Sequence, residues 1–164
     1  MKTLGVFILG LVVGAGGLGA VAYSAAPKMM LKELESPYGV EESVAKIKEG
    51  AEKLNEAQGT KWVSPGVKLL HKSIKKHGGG DVLPVMLVDL CEPFHASAIL
   101  TKDDARIVSV MMPCTISVYE KSDGKTYIAH MNAGLLGGMF GGVVAEVMGE
   151  VDGQQHDILE FAEQ

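Results

Sequence analysis

This chain has few aromatic residues, few cysteines and no excess of basic charge. Phe, Trp and Tyr make up 5% of its 164 residues, and there are 2 cysteines. Two thiols are too few for the multi-bridge framework of a small secreted scaffold, or for a four-thiolate zinc or iron–sulfur site within one chain. The net charge of −5 provides no basic stripe for a phosphate backbone, which excludes nucleic acid as the main partner.

Familiar catalytic motifs and long linkers are also missing. No serine triad, P-loop, paired-carboxylate site, Ser/Pro-rich linker or internal repeat is present. Hydrophobic residues make up 47% of the chain and charged residues 21%, which is the composition of a folded domain. We therefore expect one domain with a short appendage, and assign it no enzymatic activity.

The first 26 residues carry the clearest location signal. Every residue from Thr3 to Ala26 is uncharged. A helix of this length reaches roughly 36 Å, more than the hydrocarbon core of about 30 Å. Lys2 supplies a positive flank of the kind kept in the cytoplasm. We predict a single transmembrane helix over 3–26 in the inner membrane, followed by a periplasmic domain over 27–164.

This segment allows two other interpretations. Ala20-Val21-Ala22 fits the cleavage site of a signal peptide, which would be removed. Gly14, Gly16 and Gly19 match the dinucleotide fingerprint G-x-G-x-x-G. That match lacks its context, because the following stretch stays apolar up to Pro27 and offers no second strand ending in an acidic residue.

Glycine spacing in the same segment predicts a partner. Gly10 and Gly14 form a G-x-x-x-G step, which lets another membrane helix approach closely. The alternative is that glycine is simply common in membrane helices. The predicted partners are therefore the lipid bilayer and either other membrane-protein subunits or a second copy of the chain.

Beyond Pro27 the pattern predicts a two-layer α+β domain, with a small antiparallel or mixed sheet and helices on one side. The predicted elements are a strand or helix extension over 28–35, helices over 41–57, 67–77 and 93–100, a strand over 82–90 covered on both faces, and a hairpin of strands 115–120 and 125–131.

Five residues form the candidate site. Cys91 closes the strand over 82–90, His95 follows on a short helix, and Cys114 opens the hairpin just after Met111 and Met112. Thiol, imidazole and thioether are soft ligands that suit copper, zinc or haem iron. No C-x-x-C, C-x-x-C-H or H-x-x-x-H spacing supports this hypothesis. The cofactor is therefore open between none, a soft metal ion and haem.

The cysteines allow three further interpretations. Outside the cytoplasm Cys91 and Cys114 can form a disulfide, which needs Cα atoms about 4.4–6.8 Å apart. A Cys91 thiolate activated by a helix start and by His95 would be a nucleophile. Alternatively, both cysteines are small buried hydrophobic residues and His95 is a polar residue at a helix start.

A glycine-rich segment over 133–149 is predicted as one helix. Gly134, Gly138 and Gly141 would line one side of it. Because each glycine costs a helix about 1 kcal/mol relative to alanine, we expect close packing along this stripe. The partner would be the domain's own sheet, a second copy or the anchor helix of a neighbouring subunit.

From about Tyr38 to Val151 the chain resembles the domain of unknown function 302 family, in its membrane-anchored branch. The resemblance implies a compact α+β domain that often pairs into dimers, and it brings no settled activity. It is carried by Leu90-Cys91-Glu92-Pro93 with His95-Ala96, by Met111-Met112-Pro113-Cys114, by Ser117-Val118-Tyr119-Glu120, by Asp123-Gly124-Lys125, and by Met139-Phe140-Gly141-Gly142 through Met148-Gly149.

Together these features predict a membrane-anchored, extracytoplasmic binding or accessory domain without catalytic activity. It would serve either as a subunit of a membrane redox complex or as a binder of a soft metal or haem. The alternative is a thiol–disulfide redox protein that uses Cys91 and Cys114.

Overall fold

The computed structural model describes residues 28–163, so the predicted transmembrane helix with Gly10 and Gly14 lies outside the described residues. Within 28–163 no helix is long and apolar enough to cross a membrane. The elements in chain order are β1 (Leu31–Ser36), α1 (Val40–Gln58), β2 (Val63–Leu69), α2 (Leu70–Lys76), β3 (Val85–Cys91), α3 (Pro93–Leu100), a 3-10 helix (Asp103–Met111), β4 (Cys114–Glu120), β5 (Thr126–Met131), α4 (Ala133–Phe140), α5 (Gly142–Leu159) and a second 3-10 helix (Glu160–Ala162).

The strands form one five-stranded sheet in the order β1-β5-β4-β3-β2. Every neighbouring pair is antiparallel, which confirms the α+β class and resolves the antiparallel-or-mixed alternative. Helices α1 and α5 pack against each other and contribute their apolar residues to the core beside one face of the sheet. The core side chains with no exposed surface on that face are Val88, Leu90, Ile116, Val118 and Ile128.

Strand β3 is covered more on one face than on the other. Val88 and Leu90 are fully buried, whereas Val85 and Leu87 on the opposite face are half-buried. The prediction of a strand covered on both faces is therefore correct for the core face and only in part for the other, where Asp89 is also buried. Antiparallel sheets commonly pack one face on the core and leave the other nearer to water.

Helix α1 follows the predicted pattern. Val44, Ile47, Ala51 and Leu54 are its buried face, and the helix ends at Gly59, whose φ of 71° is the left-handed conformation that favours glycine. The helix predicted over 67–77 is present as α2, Leu70–Lys76, without its first three residues. Those three residues belong to β2, because backbone pairing with β3 places them at the edge of the sheet.

The glycine-rich segment forms two helices rather than one. Helices α4 and α5 meet at Gly141 and Gly142, whose φ values of 71° and 53° are left-handed. Such φ values interrupt a right-handed helix and are adopted readily only by glycine. The chain therefore turns here, and α4 folds back on α5.

The topology gathers several connections at one end of the sheet. Because neighbours run antiparallel, β1, β2 and β4 begin at the end where β3 and β5 finish. Cys91 closes β3 and Cys114 opens β4 there, and we call it the cysteine end. Helices α3 and α4 start from it.

Candidate functional site

An apolar cavity of about 30 Å³ lies between the cysteine end and the helices. All five residues singled out from the sequence line it, so the structure brings that set together. The lining consists of Trp62, Leu90, Cys91, Glu92, His95, Ala96, Ile99, Val108, Met111, Met112, Pro113, Cys114, Gly137, Phe140, Val144, Val147, Met148 and Val151.

The two cysteines are not bonded to each other. In the β3–β4 register Cys114 is paired with Leu90, and both face the core. Cys91 is the last residue of β3; it also lines the cavity and contributes to the raised pKa of Cys114. The disulfide across the strand ends is absent from this structure and stays a prediction.

Both thiols are held in their protonated form at neutral pH. Burial, with a further contribution from neighbouring Cys91, raises the pKa of the Cys114 thiol to about 11. Burial and the charge of Glu92 also raise the pKa of Cys91. A nucleophilic or redox-active cysteine needs the opposite shift. The site therefore holds two thiols that are poor nucleophiles.

His95 belongs to a small hydrogen-bond network at the edge of the cavity. Trp62 Nε1–H donates to Gln154 Oε1 over 2.8 Å, and His95 Nε2 lies 3.1 Å from the same oxygen. Since this oxygen can only accept, the contact requires the proton on Nε2. The Nδ1 atom faces the Glu150 carboxylate at 3.6 Å. Among the described residues only Nε2 therefore has a hydrogen-bond partner, and Nδ1 lies near a carboxylate without a hydrogen bond to it.

Glu92 anchors the start of α3. It is 6% exposed, and its carboxylate accepts a 2.7 Å bond from the His95 backbone N–H and a 3.1 Å bond from the Lys61 N–H. Pro93 follows at the first helical position, where its missing N–H is not needed. Glu92 thus joins α3 to the segment that carries Trp62, and fixes the cavity wall.

Metal binding finds limited support in these contacts. Among residues 28–163 no group of three or more His, Cys, Asp or Glu side chains is arranged to hold a metal ion. As the cavity stands, its 30 Å³ admits neither haem nor another ligand larger than water, since a cavity that admits benzene has roughly 150 Å³. Met111, Met112 and Cys114 line the same cavity and are soft ligands.

The close helix contact occurs at a different glycine from the predicted stripe. A Cβ added at Gly137 would lie 2.3 Å from the Met148 Cβ, so α4 and α5 meet there. Gly134 is in ordinary contact with Asp152. Nothing lies within 4 Å of a Cβ at Gly138 or Gly141. Within residues 28–163 these two glycines have no close neighbour, so their packing against a second copy or an anchor helix stays a prediction.

Large apolar side chains are exposed around the same end. Phe94 on α3 is 71% exposed, Ile107 and Val110 on the 3-10 helix are 73% and 86% exposed, and Met139 and Phe140 on α4 are 73% and 53% exposed. Phe140 belongs both to the cavity lining and to a surface groove that Ile107 also lines. The cavity therefore adjoins a surface rich in apolar groups.

Sequence reasoning missed several residues of this site. Trp62 was not among the predicted site residues, although a single tryptophan beside a turn signal was a usable cue. Glu92-Pro93 carried the signal of a helix start. Gln154 and Gly137 gave no local signal, because their roles depend on contacts with distant elements.

Comparison with known proteins agrees with this description. Residues 32–162 match the family model described as Domain of unknown function DUF302. No curated protein matches the chain. The fold is similar to the crystal structure of an uncharacterized conserved protein DUF302 from Bacillus stearothermophilus, with a TM-score of 0.69 and 17% identity over 82% of this chain and 98% of that chain. Since the family model covers most of the sequence, the chain belongs to the family of domains of unknown function DUF302.

Proposed function

We propose that this protein is a membrane-anchored, extracytoplasmic binding domain without catalytic activity, which holds a small, mainly apolar ligand at the cysteine end. The observation that carries the proposal is the cavity itself. Its lining is almost entirely hydrophobic, with Trp62 and His95 as oriented polar groups at its edge. Ligand sites in proteins commonly combine an apolar lining with a few placed polar groups.

The state of the polar groups supports binding rather than catalysis. The pKa values of both thiols are raised, and Glu92 is occupied by two backbone N–H groups. A general base or nucleophile needs a group that is free to exchange a proton with a substrate. The thiol–disulfide alternative is weakened by the same observations.

A ligand larger than water requires the cavity to widen. Phe140 lines the cavity and is half exposed, at the end of α4 and next to Gly141 and Gly142. We expect rotation of this side chain toward solvent to widen the cavity at this wall. We therefore expect entry between Phe140 and α3, on the side where Ala96 lines the cavity.

The anchoring part of the proposal comes from the sequence. The stretch from Thr3 to Ala26 is uncharged and long enough to span a bilayer, and Lys28 follows closely behind it. A domain tied this closely to a membrane is well placed to serve as an accessory subunit of a membrane complex.

The experiment uses Trp62, the single tryptophan of the chain, as a reporter inside the cavity. The full chain in detergent is titrated with decanol carrying a terminal bromine, which quenches tryptophan on contact, and with unbrominated decanol as a reference. We expect saturable quenching. Ala96→Phe fills the cavity. It should raise the concentration of brominated decanol at half-saturation about tenfold, which corresponds to ~1.4 kcal/mol of binding free energy.

Ala98→Phe is the matched control, because Ala98 is exposed on the same helix and does not line the cavity. It should leave the titration unchanged. Linear, non-saturating quenching, or equal behaviour of the two variants, would show that the cavity is not a binding site.

A soft metal ion is the second candidate, favoured by the two thioethers of Met111 and Met112 and the Cys114 thiol that line the cavity. Copper(I) accepts such ligands. Equilibrium dialysis with copper(I) should then give one ion per chain, lost in Met111→Leu and retained in Met139→Leu, since Met139 is exposed outside the cavity.

A further inference from the structure

The start of the described chain is fixed at the cysteine end. The Asn132 backbone N–H donates to the Met30 carbonyl over 2.8 Å, and Asn132 Nδ2 donates to the Met29 carbonyl over 2.9 Å. Leu31 is paired with Met131 in the adjoining β1–β5 ladder. Only Pro27 separates Lys28 from the uncharged segment that ends at Ala26. That segment therefore joins the domain at the base of α4.

Helix α4 presents apolar side chains from this base. Leu135 and Met139, four residues apart, lie on one side of the helix and are exposed. At Gly137 another side of α4 packs against Met148 on α5. This contact fixes the rotation of α4 about its axis. No residue of α4 is charged. Its 8 residues extend about 12 Å from the point where the chain enters the domain.

Other elements add exposed apolar groups at the same end. Val110 lies just before the chain enters β4, and Phe94 lies at the start of α3, directly after β3. Ile107 lines a groove with Phe140. Exposed apolar groups concentrated in this way mark an interaction surface.

We propose that the cysteine end docks on the surface of the bilayer that holds the N-terminal segment, with Met139, Phe140 and Val110 inserted at the level of the lipid headgroups. This inference rests on the membrane anchor of the proposed function. The occupant is the bilayer because the anchor enters the domain at the base of α4. The tether holds the apolar surface within a few residues of lipid, which gives a high effective concentration.

The docking would deepen the proposed function. With the cysteine end on the membrane, Phe140 and the cavity entrance face the lipid. An apolar ligand dissolved in the bilayer would then pass into the cavity without crossing water. The ligand class narrows accordingly to lipid-soluble molecules.

The experiment places a second tryptophan at either end of the domain. The full chain is reconstituted in vesicles of phosphatidylcholine and phosphatidylglycerol, with or without bromine in the acyl chains, as Met139→Trp or Leu83→Trp. Leu83 is exposed and precedes β3, at the end opposite the cysteine end. Trp62 is common to both variants. We expect brominated lipid to remove about half of the emission added by Met139→Trp and little of that added by Leu83→Trp, because interfacial groups insert roughly 5–10 Å.

The outcomes separate docking from anchoring. Equal quenching of the two variants in protein that floats with the vesicles overturns docking and leaves the anchor intact. Protein that fails to float, or that carbonate extracts, overturns the anchor and docking together. A cross-link between two copies through position 139, with no lipid quenching there, assigns the surface to a second copy and also overturns docking.

Discussion

The thiol of Cys114 lies on the core face of β4, among apolar groups that withdraw it from water. Burial is the main reason that its pKa rises to about 11 from an ordinary value of 9.0. The protonated form therefore dominates throughout the physiological pH range. At the scale of single residues, this thiol behaves as a small apolar side chain.

Alkylation as a function of pH tests this account of Cys114. The thiolate is the reactive form of cysteine. Raising the pKa of Cys114 from 9.0 to about 11 therefore lowers its rate of alkylation at pH 7 about a hundredfold. Iodoacetamide should modify Cys114 slowly at neutral pH and faster as the pH approaches 11, measured by mass spectrometry of its peptide. The same chain unfolded in guanidinium is the reference. Equal rates in folded and unfolded protein at pH 7 would restore the thiol–disulfide hypothesis.

The residues singled out from the sequence lie together around one cavity, but their relations to one another could not be derived from it. Soft ligand types at two strand ends identified Cys91, His95 and Cys114 as neighbours. Sequence alone could not give the register, and a shift of one residue moves a side chain to the other face of the sheet. The role of His95 also depended on Gln154, which lies on a helix distant in sequence.

At the scale of elements, the contact between α4 and α5 determines the shape of the cavity wall. Gly137 allows the helices to approach, because an added Cβ would lie 2.3 Å from the Met148 Cβ and 3.1 Å from the Val144 carbonyl oxygen. One residue along, Gly138 has open space around the same position. Of two adjacent glycines in one helix, Gly138 thus has room for a side chain and Gly137 does not.

Replacing each by alanine measures this difference. Gly137→Ala should lower the free energy of unfolding by about 1–3 kcal/mol, because overpacking forces the helices apart. Gly138→Ala should raise it by roughly 0.5–1 kcal/mol, because alanine is the better helix former. Denaturant unfolding followed by circular dichroism provides both values. A neutral Gly137→Ala, or a destabilising Gly138→Ala, would contradict the packing described here.

Elements with strong local patterns could be predicted, and those defined by distant contacts could not. Helix α1 and the β4–β5 hairpin carry clear periodicity and turn signals, and both are present. The edge strand β2 has a helix-like apolar spacing that only its pairing with β3 overrides. The break at Gly141 likewise depends on how α4 packs, since glycine tolerates both helix and turn.

At the scale of the whole molecule, the antiparallel topology concentrates the features that the proposal uses. The cysteine end carries the cavity, the exposed apolar side chains and the attachment point of the N-terminal segment. The sheet holds these features in fixed relation, since β1, β2 and β4 start beside the ends of β3 and β5. We therefore propose that the cysteine end is where the protein binds a small apolar ligand.

The most direct test is the content of the protein purified from its native membrane. Absorption spectroscopy, metal analysis and mass spectrometry of an organic extract are applied to one sample. We predict an apolar small molecule in a near one-to-one ratio to the chain, no haem absorption band and no stoichiometric metal. A haem band or one copper ion per chain, without an extractable apolar molecule, would contradict the account.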